Sequence, residues 1–112
     1  MNYAQFDDFE KNKIRQNRFL ILQDNESITL KFKAMKPLKM INSFSGEEED
    51  TIQYKFFDEE FGVEKIWNAG SLSVYQQFKN NDIQEEDLVK VTKKVEGNKK
   101  RYLVEKVGIK NL

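Results

Sequence analysis

The sequence predicts a mainly β domain: a small five-stranded barrel with one helix late in the chain and a helical extension at its start. Three observations predict it. Apolar and polar residues alternate with a period of two in segments separated by turn residues. A Gly70-Ser71 break opens an apolar repeat at helical spacing between the third and fourth long segments. The longest extended segment, Ile28 to Ile41, contains the only proline, Pro37, where a strand serving both halves of a barrel would bend.

The elements follow in order. In residues 3–16, Tyr3, Phe6 and Phe9 recur every third residue, with Ile14 beyond and charges between. This predicts an amphipathic helix, which either docks on the core or projects as an arm. Residues 1–17 are assigned to this extension and 18–108 to the barrel. Phe19-Leu20-Ile21-Leu22 reads as a short strand, and Asp24-Asn25-Glu26-Ser27 as a turn. In the long strand, Ile28, Leu30, Phe32 and Ala34 share one face, while Thr29, Lys31, Lys33 and Met35 share the other. Asn42 to Asp50 reads as an acidic loop. Thr51 to Phe57 and Val63 to Asn68 read as strands joined by a turn at Asp58–Gly62. Ser71 to Asn80 reads as a helix capped by Ser71, with Leu72, Tyr75 and Phe78 on one face. The closing hairpin turns at Glu96-Gly97-Asn98, with Val89, Val91 and Val95 inward, as are Tyr102 and Val104.

Composition narrows the chemistry. At 112 residues the chain holds one domain at most. It has no cysteine, hence no disulfide and no thiolate metal site, and no histidine, the commonest general base and metal ligand. No nucleophile–base pair is visible, so no enzymatic activity, cofactor or metal site is expected. The Glu47–Asp50 run reads as a solvated face rather than a cation site. No apolar run reaches the length of about 20 residues that a membrane span needs. The N-terminus is acidic where a signal peptide is basic, so a cytoplasmic location is expected, in a host if the protein is viral.

The net charge is zero, but charge is segregated. Residues 41–64 hold eight acids (Glu47, Glu48, Glu49, Asp50, Asp58, Glu59, Glu60, Glu64) and one base, Lys55. Residues 88–112 hold eight bases (Lys90, Lys93, Lys94, Lys99, Lys100, Arg101, Lys106, Lys110) and two acids, Glu96 and Glu105. Such patches, rather than the total, set the field a ligand meets.

A long bent strand, a two-stranded hairpin, a helix and two more strands is the order of the five-stranded OB-fold barrel. An SH3-like barrel is the nearest rival, though it usually lacks such a helix at this position. Several passages carry a family likeness: Leu22–Leu30, a turn feeding the long strand; Lys65-Ile66-Trp67-Asn68-Ala69-Gly70-Ser71-Leu72-Ser73, from third strand to helix; and Glu86–Lys93 followed by Gly97 and Lys100–Glu105. With these, roughly residues 19–107 resemble the single-stranded-DNA-binding OB-fold proteins of bacteriophages, archaeal viruses and their cellular relatives. The resemblance implies non-catalytic binding of single-stranded nucleic acid in a barrel groove. The C-terminus departs from it, lacking the acidic tail by which bacterial single-strand binders recruit partners.

Such binding needs cations for phosphates and flat side chains for bases. The expected set is Lys31, Lys33, Lys55, Phe57, Lys65, Trp67, Lys90, Lys94, Lys99, Lys100 and Arg101. Phe57 lies opposite in parity to Ile52, Tyr54 and Phe56, and faces the groove if those three face the core. Trp67 faces the groove if Ile66 is core, and otherwise plugs the barrel end. The expected partner is single-stranded DNA or RNA during replication, recombination or repair, with homo-oligomers or replication proteins as further partners. The alternative is a protein-interaction OB or SH3-like module, such as a replication-complex subunit or a viral adaptor or inhibitor.

Overall fold

The spine of the molecule is one strand, β1 (Ser27–Ile41), which serves two neighbours in succession. In the computed structural model, which describes residues 1–107, its first part pairs with β4 (Leu88–Glu96) from Ser27↔Thr92 to Lys31↔Leu88. Its later part pairs with β2 (Glu48–Asp58), from Lys31↔Phe57 to Ile41↔Glu48. With β3 (Val63–Ala69) and β5 (Lys99–Val107) added, the antiparallel sheet has the order β3-β2-β1-β4-β5. The predicted barrel is not closed: β3 and β5 are the outer strands and do not pair. The boundary at residue 108 lies outside the described residues.

The bend falls earlier than Pro37. Phe32 pairs with Phe56 and Ala34 with Lys55, which leaves Lys33 as a bulge. The extra residue reverses the parity of everything after it. Ile28, Leu30 and Phe32 are buried as the alternation requires. Ala34, expected beside them, instead pairs with outward Lys55, and Met35 takes the place opposite Tyr54. Pro37 sits in an unbroken ladder opposite Ile52, on a stretch whose other edge pairs with no strand, so its missing N–H costs nothing there.

Beyond Pro37, β1 and the first part of β2 pair only with each other, because β3 begins its pairing at Ile52, the partner of Pro37. They form a two-stranded ribbon. The acidic loop is therefore shorter than the sequence suggests: Glu48, Glu49 and Asp50 belong to β2.

The sheet curls around an apolar interior, and the ring of Trp67 on β3 meets that of Tyr102 on β5 edge-on at 5.2 Å. The helix α2 (Leu72–Asn80) packs beside β5 and is capped by the Ser71 hydroxyl, which accepts from the Val74 N–H at 3.3 Å. Its inward residues are Val74 and Phe78, while Leu72 is exposed and Tyr75 half-buried. The apolar face is thus rotated from the expected one. Phe78 stacks on Tyr54 with ring centroids 4.5 Å apart and touches Phe32 at 5.3 Å.

Side chains and backbone seal both outer strands. The Gln77 amide bridges β5, donating to the Tyr102 carbonyl (2.9 Å) and accepting from the Val104 N–H (2.7 Å). Asn81 donates to the Val104 carbonyl at 3.0 Å. On β3, the Leu20 N–H donates to the Ile66 carbonyl (2.9 Å) and the Ile66 N–H to the Arg18 carbonyl (2.8 Å). The Phe19–Leu22 run, expected as a short strand, is thus a single parallel bridge at Phe19. Leu20 and Leu22 pack on the core from there.

The amino-terminal residues form a 3-10 turn (Tyr3–Phe6) running into α1 (Asp7–Gln16). α1 joins the rest through its last turn. Arg15 donates to Asp58, which is 1% exposed, at 2.9 Å, and to Glu60 at 3.0 Å. The aromatic stripe stays outside, with Tyr3 72%, Phe6 47% and Phe9 63% exposed. No helix among the described residues is long and apolar enough to cross a membrane.

Candidate functional site

The expected binding residues divide into three groups once the register is known. The first lies on the outer face of the sheet. Cross-strand partners share a face, so Lys31, Phe57 and Glu64 form one row across β1, β2 and β3, and Ala34, Lys55 and Ile66 the next. Lys90 pairs with Thr29 and Glu105 on the same face. Phe57 is half-buried there, beside Lys31 and opposite in parity to the core residues Tyr54 and Phe56, and Lys55 is exposed.

Two cations of this face already have anionic neighbours. Lys31 lies 3.3 Å from Glu59 and 3.4 Å from Glu86, and Lys33 also holds Glu86. The hydrogen bond to Glu59, then that to Glu86, raises the Lys31 ammonium above its ordinary value. The same cluster lowers the Glu86 carboxyl, chiefly through its hydrogen bond from Lys33.

The second group sits at the tip of the β4–β5 hairpin. Lys94 and Arg101 are directly opposite each other, as are Val95 and Lys100, and Glu96 and Lys99. The turn is tight because Gly97 takes φ +59°, a left-handed conformation that a side chain disfavours. Lys94, Glu96, Lys99, Lys100 and Arg101 line a hollow of about 440 Å³. Its one acid lies 3.9 Å from Arg101. Like charges held directly opposite on paired strands destabilise the hairpin. An anion in the hollow removes that cost.

The third group, Lys65 and Trp67, belongs to the interior. β3 turns both inward, opposite Phe56 and Tyr54. Trp67 is 8% exposed and packs against Tyr54 at 5.6 Å and Phe56 at 6.5 Å. Lys65 is 2% exposed. Its ammonium donates to the carbonyls of Ile14 (3.3 Å), Arg15 and Asn17 (2.5 Å), which converge on it at the negative end of α1. Burial lowers its pKa. The expectation that a buried Ile66 turns Trp67 outward fails because Ile66, Lys65 and Trp67 are all buried. Ile66 lies where the Arg18–Leu20 segment bonds to the strand. Neither Lys65 nor Trp67 presents a surface to a ligand.

Residues outside the expected set also stand exposed. Phe44, at the end of the β1–β2 ribbon, is 99% exposed, and its neighbours Ile41 and Met40 are 70% and 42% exposed. The available signal was an aromatic inside an otherwise polar loop, Asn42-Ser43-Phe44-Ser45-Gly46. The Asn42 carboxamide oxygen accepts from the Phe44 and Ser45 N–H groups at 2.8 and 3.1 Å, which fixes that loop locally.

No protein-family model, curated protein or solved structure matches the chain.

Proposed function

We propose that this protein binds single-stranded nucleic acid, DNA in the first instance, without catalysis. The surface is the outer sheet face and the β4–β5 tip, with Lys31, Lys33, Lys55, Lys90, Lys94, Lys99, Lys100 and Arg101 toward phosphates and Phe57 toward a base. The observation that carries this reading is the gathering of four cations and one acid around a single hollow, with Lys94 and Arg101 opposed across the strand pair. The strand order, with β1 shared between two halves and a helix between β3 and β4, supports an OB-type arrangement for it. Lys94 stands six residues along β4 from Leu88, which pairs with Lys31 in the row of Phe57. At about 3.3 Å per residue, the two groups are roughly 20 Å apart along the strand, within reach of a ligand several nucleotides long.

Titration of a fluorescein-labelled oligo-dT at increasing salt tests this. The expected result is binding that weakens steeply with salt, with Trp67 emission unchanged because the indole is buried. Salt-insensitive binding, or none at low salt, would overturn the reading.

A protein-interaction role is the second reading. One observation favours it: Tyr3, Phe6 and Phe9 form an exposed apolar stripe on an arm whose last turn is what bonds to the sheet among the described residues.

A further inference from the structure

The β1–β2 ribbon offers a surface on which another chain can dock. Its strands pair with nothing but each other, so each presents an unpaired edge, and its tip exposes Met40, Ile41 and Phe44. Its acids are poorly compensated. Lys39 reaches Asp50 at 3.7 Å and the Asn42 amide reaches Glu49 at 2.8 Å, while Glu47 and Glu48 take part in no ion pair among the described residues. Residues 42–50 therefore carry four acids and no base.

The β4–β5 tip has the opposite character, with Lys94, Lys99, Lys100 and Arg101 around Glu96. The register shows where the two tips lie. β4 runs antiparallel to β1 from Lys31↔Leu88 to Ser27↔Thr92, so its turn lies beyond the start of β1. The ribbon's turn lies beyond the end of β1, at Ile41↔Glu48. The tips stand at opposite ends of a 15-residue strand, on the order of 45 Å apart. An acidic tip cannot reach the basic hollow of its own chain. A second copy supplies the match, and a net charge of zero leaves no overall repulsion between copies.

We infer that the β1–β2 ribbon tip of one copy docks head to tail into the basic β4–β5 hollow of a second copy. Glu47, Glu48 and Glu49 meet Lys94, Lys99, Lys100 and Arg101. Phe44 is covered by the aliphatic stems of those side chains, with its ring against the Arg101 guanidinium. Such a contact joins two different patches, so it propagates into rows or closes into rings rather than stopping at a two-fold dimer. It requires no nucleic acid and stands whether or not the chain binds one.

Sedimentation velocity over a concentration series tests it. At low salt, the mass should rise above the 13.3 kDa of one chain with concentration, and return to it at about 0.5 M salt. Glu48→Lys/Glu49→Lys and Lys99→Glu/Lys100→Glu should each remain monomeric, and their equimolar mixture should associate again. Asp7→Lys/Asp8→Lys, the same charge change on α1, should associate as the parent does. Phe44→Ser should weaken association about tenfold. Because the chain has no cysteine, a mixture of Phe44→Cys and Arg101→Cys chains should form a mixed disulfide dimer under mild oxidation. This readout needs no charge reversal to fold. A wild type that stays monomeric at low salt overturns the inference. So does association indifferent to the reversals, or lost only in Phe6→Ser/Phe9→Ser, which would assign it to the arm. Association of the wild type, with no binding of oligo-dT even by the monomeric Glu48→Lys/Glu49→Lys variant whose hollow is intact and free, would sink the nucleic-acid reading and leave this one standing.

Discussion

Tyr54 is completely buried, and its hydroxyl has no hydrogen-bond partner among the described residues. An unmet buried hydroxyl costs free energy that a phenyl ring of the same shape does not. Tyr54→Phe should therefore stabilise the fold by about 1 kcal/mol in urea denaturation. Burial also pushes the phenol up to about 12. A raised phenol favours the folded state below its ordinary value of 10.0, and that contribution is lost as pH climbs toward the raised one. The variant should accordingly lose less stability than the parent on alkaline titration. Glu86 shows the opposite sign. Its lowered carboxyl adds stability above its ordinary value of 4.5, lost as pH falls through the lowered one. Glu86→Gln should reduce Tm near neutrality, and the difference from wild type should vanish well below pH 4.5. Equal differences at both pH values would remove the Lys31–Glu86–Lys33 cluster from the account.

The same scale shows what sequence can and cannot disclose about a site. The outward placement of Phe57 and Lys55 follows from period two, because nothing interrupts β2. Lys65 could not be read this way. A lysine among alternating residues reads as a solvent position. It goes inside because three carbonyls at the end of α1, some fifty residues earlier, converge on its ammonium. Local spacing holds no trace of such a partner.

Among the elements, α2 does two things: it fills the interior with Phe78 and closes an edge with Gln77. The first is legible in its apolar spacing. The second is not, since a polar residue on a helix reads as solvated unless a strand edge is known to lie beside it. Gln77→Leu strands the Val104 N–H and the Tyr102 carbonyl, two backbone groups with no other strand beside them. The expected cost is about 2 kcal/mol or more. Hydrogen exchange at the Val104 amide should accelerate more than at Val91, inside the β1–β4 ladder. Equal acceleration at both would mean that the helix does not guard that edge. The order of elements was legible because each strand carries its own pattern and turn. The open seam was not, because whether β3 and β5 pair depends on curl and on what lies between them.

For the whole molecule, charge is what the sequence states most clearly and what folding rearranges most. Four bases of the closing segment gather at one hollow at one end of β1, while the acidic stretch is divided between the ribbon, the buried Asp58, and Glu59 and Glu60 beside Lys31 and Arg15. If the outer face and the tip both hold phosphates, each removed cation should flatten the salt dependence of binding. Lys99→Ala/Lys100→Ala/Arg101→Ala should lower the slope of log affinity against log salt by about 2, at roughly 0.7 per contact on a single strand. An unchanged slope with weaker binding would show that these side chains shape the hairpin and do not touch phosphate.

The bulge at Lys33 has a consequence for insertions and deletions. Lys33 is the one residue of β1 that the β2 ladder skips, since Phe32 and Ala34 pair with consecutive residues, Phe56 and Lys55. Removing Lys33 leaves every cross-strand partnership intact, whereas removing Met35 slips all the pairs beyond it by one. A chain shortened at position 33 should fold with the same partners along a straighter β1. Lost local twist would appear as a wider separation of Trp67 and Tyr102 and a redder indole emission. A chain shortened at position 35 should misregister its ribbon. A one-residue gap in this strand thus spares the register at one position, at the loss of the Lys33–Glu86 ion pair, and destroys it two residues further on.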